Sequence, residues 1–463
     1  MPSLSSLSLG SSLEVKTKDG VKFGKELREK EFLFDKGYLN LNHGSFGTYP
    51  RTVRDTMRSF QDAAEARPDK FIRYQYPELV DESREAVAKL LNTPSSTVVF
   101  VPNATTGINT VLRNLTFESG DHILYFATIY GACEKTVAYI TETTPASSVK
   151  IEYSYPVEDD WLVSEFKSKV KEVEAKGGKV KVAIFDTIVS MPGVRVPFER
   201  LITACKELGV LSCVDGAHGV GHIELDLTKL DPDFFVSNCH KWLHVPRGCA
   251  VFHVPVRNQH LMRSTLPTSH GFEPRGSQVA SPFPKSAFVD AGKSKYVGNF
   301  EFVGTIDNTP YLCVPAALEW RESIGGEEVI RNYCSTLAQE AGKHFASVLG
   351  TDVLDNSTKT LSLCCMSTVR LPISVAKAQD VAAQNGLEKD EVGGLVRDWL
   401  SRTLLDDYGT FIQTVFHGGS WWGRLSGQVY LDMSDFELGA ETLKTICERA
   451  EAGEWAAAKP SKL

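Results

Sequence analysis

At 463 residues the chain is too long for one small core and fits two domains of unequal size. Apolar residues make up 42% and charged residues 23%, the balance of a soluble globular protein rather than a disordered or fibrous one. A formal charge of −8 argues against non-specific nucleic-acid binding, and no run of about 18 apolar residues exists to span a membrane.

The opening segment, Met1 to Leu13, is rich in Ser and Leu but lacks a basic start and a continuous apolar stretch. It reads as a frayed tail and not as a signal peptide. From about residue 95, short β-branched runs alternate with helical stretches. Val98 to Val101 is a buried-strand candidate, followed by a polar turn from Pro102 to Gly107. Ile108, Val111, Leu112 and Leu115 then fall on one face of a helix. His122 to Phe126, Val180 to Phe185, Val210 to Val214, Phe234 to Val236 and Cys249 to Val254 repeat the strand signal. Buried strands separated by helices predict an α/β domain with a mostly parallel sheet flanked by helices. After about residue 320 the helices lengthen, and strand candidates thin to Leu361–Arg370 and Gly427–Leu431. The expected layout is an N-terminal segment over 1–60, a large domain over 61–320 and a smaller α+β domain over 321–463. The N-terminal segment would supply a tail, part of the small domain and a loop of the active site.

Ten cysteines raise the question of disulfides, and their placement answers it. Cys205, Cys213, Cys249 and Cys313 lie inside apolar runs, where a free thiol packs as a small hydrophobe. Cys364 and Cys365 are adjacent and read as strand residues. No pair has the spacing of a zinc or redox site, so no metal is expected and the compartment reads as reducing, the cytoplasm.

In an open parallel sheet, ligands gather where strands exit at their carboxyl ends. The exit Asn103-Ala104-Thr105-Thr106-Gly107 presents hydroxyls and backbone N–H groups at a helix start, which suits a phosphate or simply a helix cap. At the exit Val214-Asp215-Gly216-Ala217-His218, Asp215 directly follows an apolar strand. A carboxylate there costs free energy unless it meets a cation or donors, such as a protonated ring nitrogen; the alternative is a cap for the next helix. The third exit runs Asp233-Phe234-Phe235-Val236-Ser237-Asn238-Cys239-His240-Lys241-Trp242. A lysine at the end of an apolar strand is poorly explained as a surface charge. Desolvation lowers its pKa and makes the neutral amine available for Schiff-base chemistry.

The Asp215-Gly-Ala-His and His240-Lys241 segments resemble the class V aminotransferase family, a branch of the fold-type I pyridoxal 5'-phosphate (PLP) enzymes. Glu301-Phe302-Val303-Gly304-Thr305 is similar to the family's Gly-Thr segment, and Arg424-Leu425-Ser426 to its C-terminal Arg-x-Ser. These matches run from about residue 38 to 440. The resemblance implies a fold-type I large domain with a seven-stranded sheet, PLP as cofactor, and a homodimer with shared active sites. It implies that Lys241 carries the cofactor as a Schiff base and that Asp215 pairs with the pyridine nitrogen. Thr105, Thr106, His240 and the neighbouring subunit's Thr305 fall on the phosphate side, and Asn238 is a further cofactor-binding residue. His218 stands where many relatives carry Gln, near the phenolic oxygen. Tyr130 lies where the family sets a residue against the cofactor ring, or else packs as a core tyrosine. Arg424 would hold the substrate's carboxylate.

Desulfurases of this family carry a mobile-loop cysteine shortly before that arginine, yet Phe411 to Gly423 contains none. A persulfide mechanism needs a thiolate there. Leu41-Asn42-His43-Gly44-Ser45-Phe46-Gly47 resembles the subset containing isopenicillin N epimerases and hercynylcysteine sulfoxide lyases, which puts His43 and Ser45 beside the substrate. Ala64 to Pro68, Thr128 to Cys133, Ser190 to Arg195 and Arg263 to Phe272 favour the fungal-type lyases. The resemblance therefore implies carbon–sulfur cleavage by β-elimination from a small amino-acid substrate, with epimerisation as the alternative. Lys241 would be the base and Tyr130 the acid at the leaving group. A trimethylammonium group on such a substrate suits an aromatic wall, for which Trp421, Trp422, Phe46 and Tyr74 are the candidates.

Overall fold

The structure, a computed structural model, describes residues 13–275 and 292–457. The expected N-terminal tail lies, apart from Leu13, outside the described residues. After a two-residue strand β1 (Leu39–Asn40), the strands of the main sheet are β2 (Val98–Val101), β3 (Asp121–Phe126), β4 (Ser147–Ile151), β5 (Lys179–Asp186), β6 (Leu211–Asp215), β7 (Phe234–Asn238) and β8 (Ala250–His253). They lie in the order β2-β8-β7-β6-β5-β3-β4, with β8 antiparallel to both neighbours and the other pairs parallel.

Side-chain alternation explains why this sheet is covered on both faces. Val98 and Phe100 enter one hydrophobic core while Val99 and Val101 enter the opposite one. Ala183 and Phe185 likewise face away from Val182 and Ile184. Every residue of β2 and β7 is buried, as a strand between two helical layers requires. The helix Ala104–Asn114 follows β2 and buries Ile108, Val111 and Leu112 against the sheet.

A further core joins Val21, Phe23, Leu27, Phe32, Leu39 and Leu41 to residues between 320 and 455. Its strands are β9 (Met366–Arg370), β10 (Thr410–Phe411), β11 (Gln413–His417) and β12 (Ser420–Ser426). β1 pairs with β10, and β11-β12-β9 form an antiparallel sheet. Two expectations need correction here. Cys364 and Cys365 precede β9 instead of lying in it, and Gly427–Leu431 is a turn beyond β12. Gly427 N donates to the Cys365 carbonyl, and Leu431 N donates to Gln428, so the chain reverses where an apolar run suggested a strand.

The topology brings the exits of β2, β5, β6 and β7 to one edge. Asp186 pairs in register with Asp215 at the ends of β5 and β6. The short helix Cys239–Trp242 begins directly after β7 and carries Lys241. Asn238 Oδ1 accepts from Ala104 N at 2.8 Å, tying the start of the Ala104–Asn114 helix to the lysine segment across β8.

Candidate active site

Lys241 is partly buried. Burial lowers its pKa to about 8, assisted by the Arg424 guanidinium and opposed by Asp215 and Asp186. Its Nζ lies 3.0 Å from His218 Nε2. His218 is itself buried, and desolvation holds its ring well below the usual imidazole range.

Asp215 is 2% exposed. One carboxylate oxygen accepts from Ala217 N at 2.9 Å. The other meets only the Cys133 thiol, a weak donor, at 3.5 Å. Burial raises the pKa of Asp215, and burial together with the Asp215 charge raises that of Asp186 well above the carboxylate range. Two buried carboxyls at adjacent strand ends need a positive partner, and an N–H cation opposite Asp215 satisfies the oxygen that now has only a thiol. Asp186 was not singled out from sequence, although it ends the Val180–Phe185 run and an acidic residue at a strand exit was the available signal.

Arg424, on β12, is 1% exposed. Nη1 donates to the Ser190 carbonyl at 2.6 Å; Nη2 donates to Asn42 Oδ1 and Ser45 Oγ, both at 2.8 Å. Its Nε has no partner, and among the described residues no carboxylate pairs with it. Burial pushes its pKa down to about 10. A buried guanidinium held only by neutral groups is an anion site. Gly193 makes room for it, because a Cβ there would stand 2.5 Å from Arg424 Cδ. Asn42 and Ser190 are contacts that sequence reading missed; both are set by chain segments distant from residue 424.

The remaining expected residues divide clearly. Ser45 touches Arg424, as above. His43 is fully enclosed, its Nδ1 3.0 Å from the Tyr430 hydroxyl and its Nε2 2.6 Å from the Lys241 carbonyl. Both ring nitrogens are thus engaged with the protein. Gly47, with φ +63°, must be glycine: a Cβ there would overlap the His240 carbonyl at 1.8 Å. Thr105 and Thr106 occupy the first turn of their helix, where Asn103 Oδ1 accepts from Thr106 N and from its hydroxyl. His240 Nδ1 donates to the Cys249 carbonyl at 3.0 Å, and burial lowers its pKa to about 4. Tyr130 is 48% exposed at the start of the Gly131–Thr143 helix, the helix whose Cys133 reaches Asp215. Thr305 is exposed on the 302–308 loop. Trp421 is corrected as an aromatic wall: it is fully buried and donates to the Gly393 carbonyl. Trp422 donates to His417, whereas Phe46 and Tyr74 remain exposed.

The profile of the family described as Aminotransferase class-V matches residues 47–383. The chain belongs to that family. An L-cysteine desulfhydrase-like protein of Epichloe uncinata, lolT1, is 40% identical, covering 92% of this chain and 96% of its own. The hercynylcysteine sulfoxide lyase of Schizosaccharomyces pombe is 29% identical over 92% of this chain and 98% of its own. A solved cystine C–S lyase in complex with cysteine persulfide superimposes with a TM-score of 0.69 at 16% identity, covering 88% of this chain and 97% of that one, which establishes the fold-type I architecture. The class V enzyme described here uses PLP and is a carbon–sulfur lyase. The residues fit that cofactor: a lysine amine with a lowered pKa, a buried carboxylate short of a donor, and a helix start tied to the lysine segment.

Proposed function

We propose that this class V enzyme cleaves a cysteine S-conjugate sulfoxide, hercynylcysteine sulfoxide, by β-elimination. The reading is carried by the neutral-prone Lys241 amine standing in the same site as the unpaired Arg424 guanidinium. Arg424 binds the substrate carboxylate and so orients Cα. Lys241 Nζ, as the free amine, takes the α-proton. Asp215 holds a proton on the cofactor's ring nitrogen. When bound, PLP supplies the electron sink that stabilises negative charge at Cα. The C–S bond then breaks and sulfur leaves with the electron pair as a sulfenate, with Tyr130 as its proton donor. Water completes release of the three-carbon fragment as pyruvate and ammonia. His43 we assign to holding the lysine segment instead of touching substrate. His218 we place on the phenolic-oxygen side of the cofactor, Thr105, Thr106 and His240 toward its phosphate, and Asn238 as a further cofactor-binding residue.

All ten cysteines are buried and unpaired, so no thiol is presented to accept sulfur. Burial raises the Cys133 thiol and lifts Cys364 to about 11, keeping both protonated. This supports elimination over persulfide transfer, and the unpaired cysteines support a cytoplasmic location. No helix among the described residues is long and apolar enough to cross a membrane. Purified protein incubated with cysteine S-conjugates and their sulfoxides is expected to release pyruvate fastest from the sulfoxide. Solvent deuterium entering Cα without pyruvate would instead establish an epimerase.

We also infer a homodimer in which Thr305 completes the partner subunit's phosphate site. Support comes from the exposed loop, where Ile306 is 57% exposed beside Thr305. In a hybrid of a Lys241→Ala chain with a Thr305→Ala chain, both defects fall in one shared site and the other site keeps both native residues. Activity should therefore return on subunit exchange. Two impaired parents that exchange and recover nothing would sink the shared site.

A further inference from the structure

Lys241 is followed directly by Trp242, and the pair faces one imidazole. Trp242 Nε1 lies 3.1 Å from His218 Nδ1, while Lys241 Nζ lies 3.0 Å from His218 Nε2. An indole N–H only donates, so His218 Nδ1 must accept. A neutral imidazole carries one proton, and that proton is therefore on Nε2. An N–H there has to donate to Lys241 Nζ, and an ammonium offers no lone pair to receive it. The opposite tautomer would accept from a lysine ammonium, but would point Nδ1–H at the indole N–H.

We propose that Trp242 is a positioning residue that locks His218 in the Nε2–H tautomer and thereby keeps Lys241 as a free amine. The indole is rigidly placed for this. It is 1% exposed, and the His222 ring lies over it with centroids 3.9 Å apart and an interplanar angle of 30°. His222 is fixed in turn, its Nε2 accepting from Cys365 N at 2.7 Å. His43 packs on the same indole at 5.1 Å, and the Trp242 carbonyl accepts from Arg321 at 2.8 Å. Burial keeps His218 neutral, which is the condition for a single ring proton. Other charges facing Lys241 are Asp215 and Asp186 from the strand ends, which favour the ammonium, and Arg424 from β12, which opposes it. The tautomer lock decides between these opposed influences without adding a charge.

The inference rests on Lys241 being the reactive amine but not on which substrate is cleaved. Its test uses the full chain with ¹⁵N-labelled histidine, with and without bound PLP. His218→Gln identifies the His218 signals by their loss. The wild-type ring should show a protonated Nε2 and an unprotonated Nδ1; a protonated Nδ1 overturns the proposal without any Trp242 variant. Trp242→Phe retains an aromatic ring for His222 and His43 to pack on but removes the donor. It should mix the tautomers. The rate at which the cofactor-free chain takes up PLP, followed against pH, should shift its midpoint upward by about one unit, a tenfold smaller amine fraction at neutral pH. An unchanged tautomer in Trp242→Phe overturns the lock. A changed tautomer with an unmoved midpoint overturns its effect on Lys241.

Discussion

Replacing Lys241 by alanine is expected to lower pyruvate formation by at least about 10³-fold, while PLP still associates through its phosphate. A positioned general base contributes roughly 10²–10⁴-fold, and here the same amine also carries the cofactor, so the two losses compound. Borohydride treatment of the wild-type protein should bleach its visible band and fix the cofactor to the peptide containing Lys241. Labelling of another lysine would end the assignment. Most other lysines are paired or exposed, such as Lys18 with Glu322 and Lys169 with Glu172. The hydrogen bond from Glu172 raises the pKa of Lys169, whereas burial of Lys241 brings its pKa down to about 8. That difference predicts which amine reacts near neutral pH.

Asp215 was legible because it ends an apolar strand, and Lys241 because it follows one within a single short helical turn, where a charge requires a reason. The sheet was legible for a related cause: β-branched runs buried on both faces leave little ambiguity about their role. The antiparallel sheet of the smaller domain was less readable. In β12, Trp421 and Trp422 are neighbours in sequence but point to opposite faces, one into the core and one toward His417. Sequence offers the pair as a single aromatic surface; the pleat divides it. His43 shows a second limit. Its place in Asn42-His43-Gly44-Ser45 suggested substrate contact, and its neighbour Ser45 does reach Arg424. The ring itself turns to the Lys241 carbonyl, 198 positions away, a tertiary choice that no local pattern encodes. Asn42 and Ser190 became part of the arginine site for the same reason.

Arg424→Lys should retain PLP binding and lose about 2–4 kcal/mol of transition-state stabilisation, roughly 30- to 1,000-fold in kcat/KM. A guanidinium offers paired donors that match a carboxylate in two directions, and an ammonium cannot reproduce that fork. Arg424 also uses separate nitrogens to hold Ser190, Asn42 and Ser45, leaving Nε unpartnered. A lysine amine cannot span that set and still reach substrate. Charge is the second consideration. Burial has already brought the arginine down to about 10, and a lysine begins about two units lower than arginine, so the same desolvation brings it close to neutrality. The deficit should therefore deepen as pH rises, because the ammonium is lost while the wild-type guanidinium keeps its proton. An arginine in an exposed ion pair would behave otherwise, changing by about 0–1 kcal/mol with little dependence on pH. The 1% exposure of Arg424 sets it apart from that case. Measuring kcat/KM for pyruvate formation across pH, beside a PLP titration of both proteins, separates the outcomes. An unchanged kcat/KM would remove Arg424 from the substrate site.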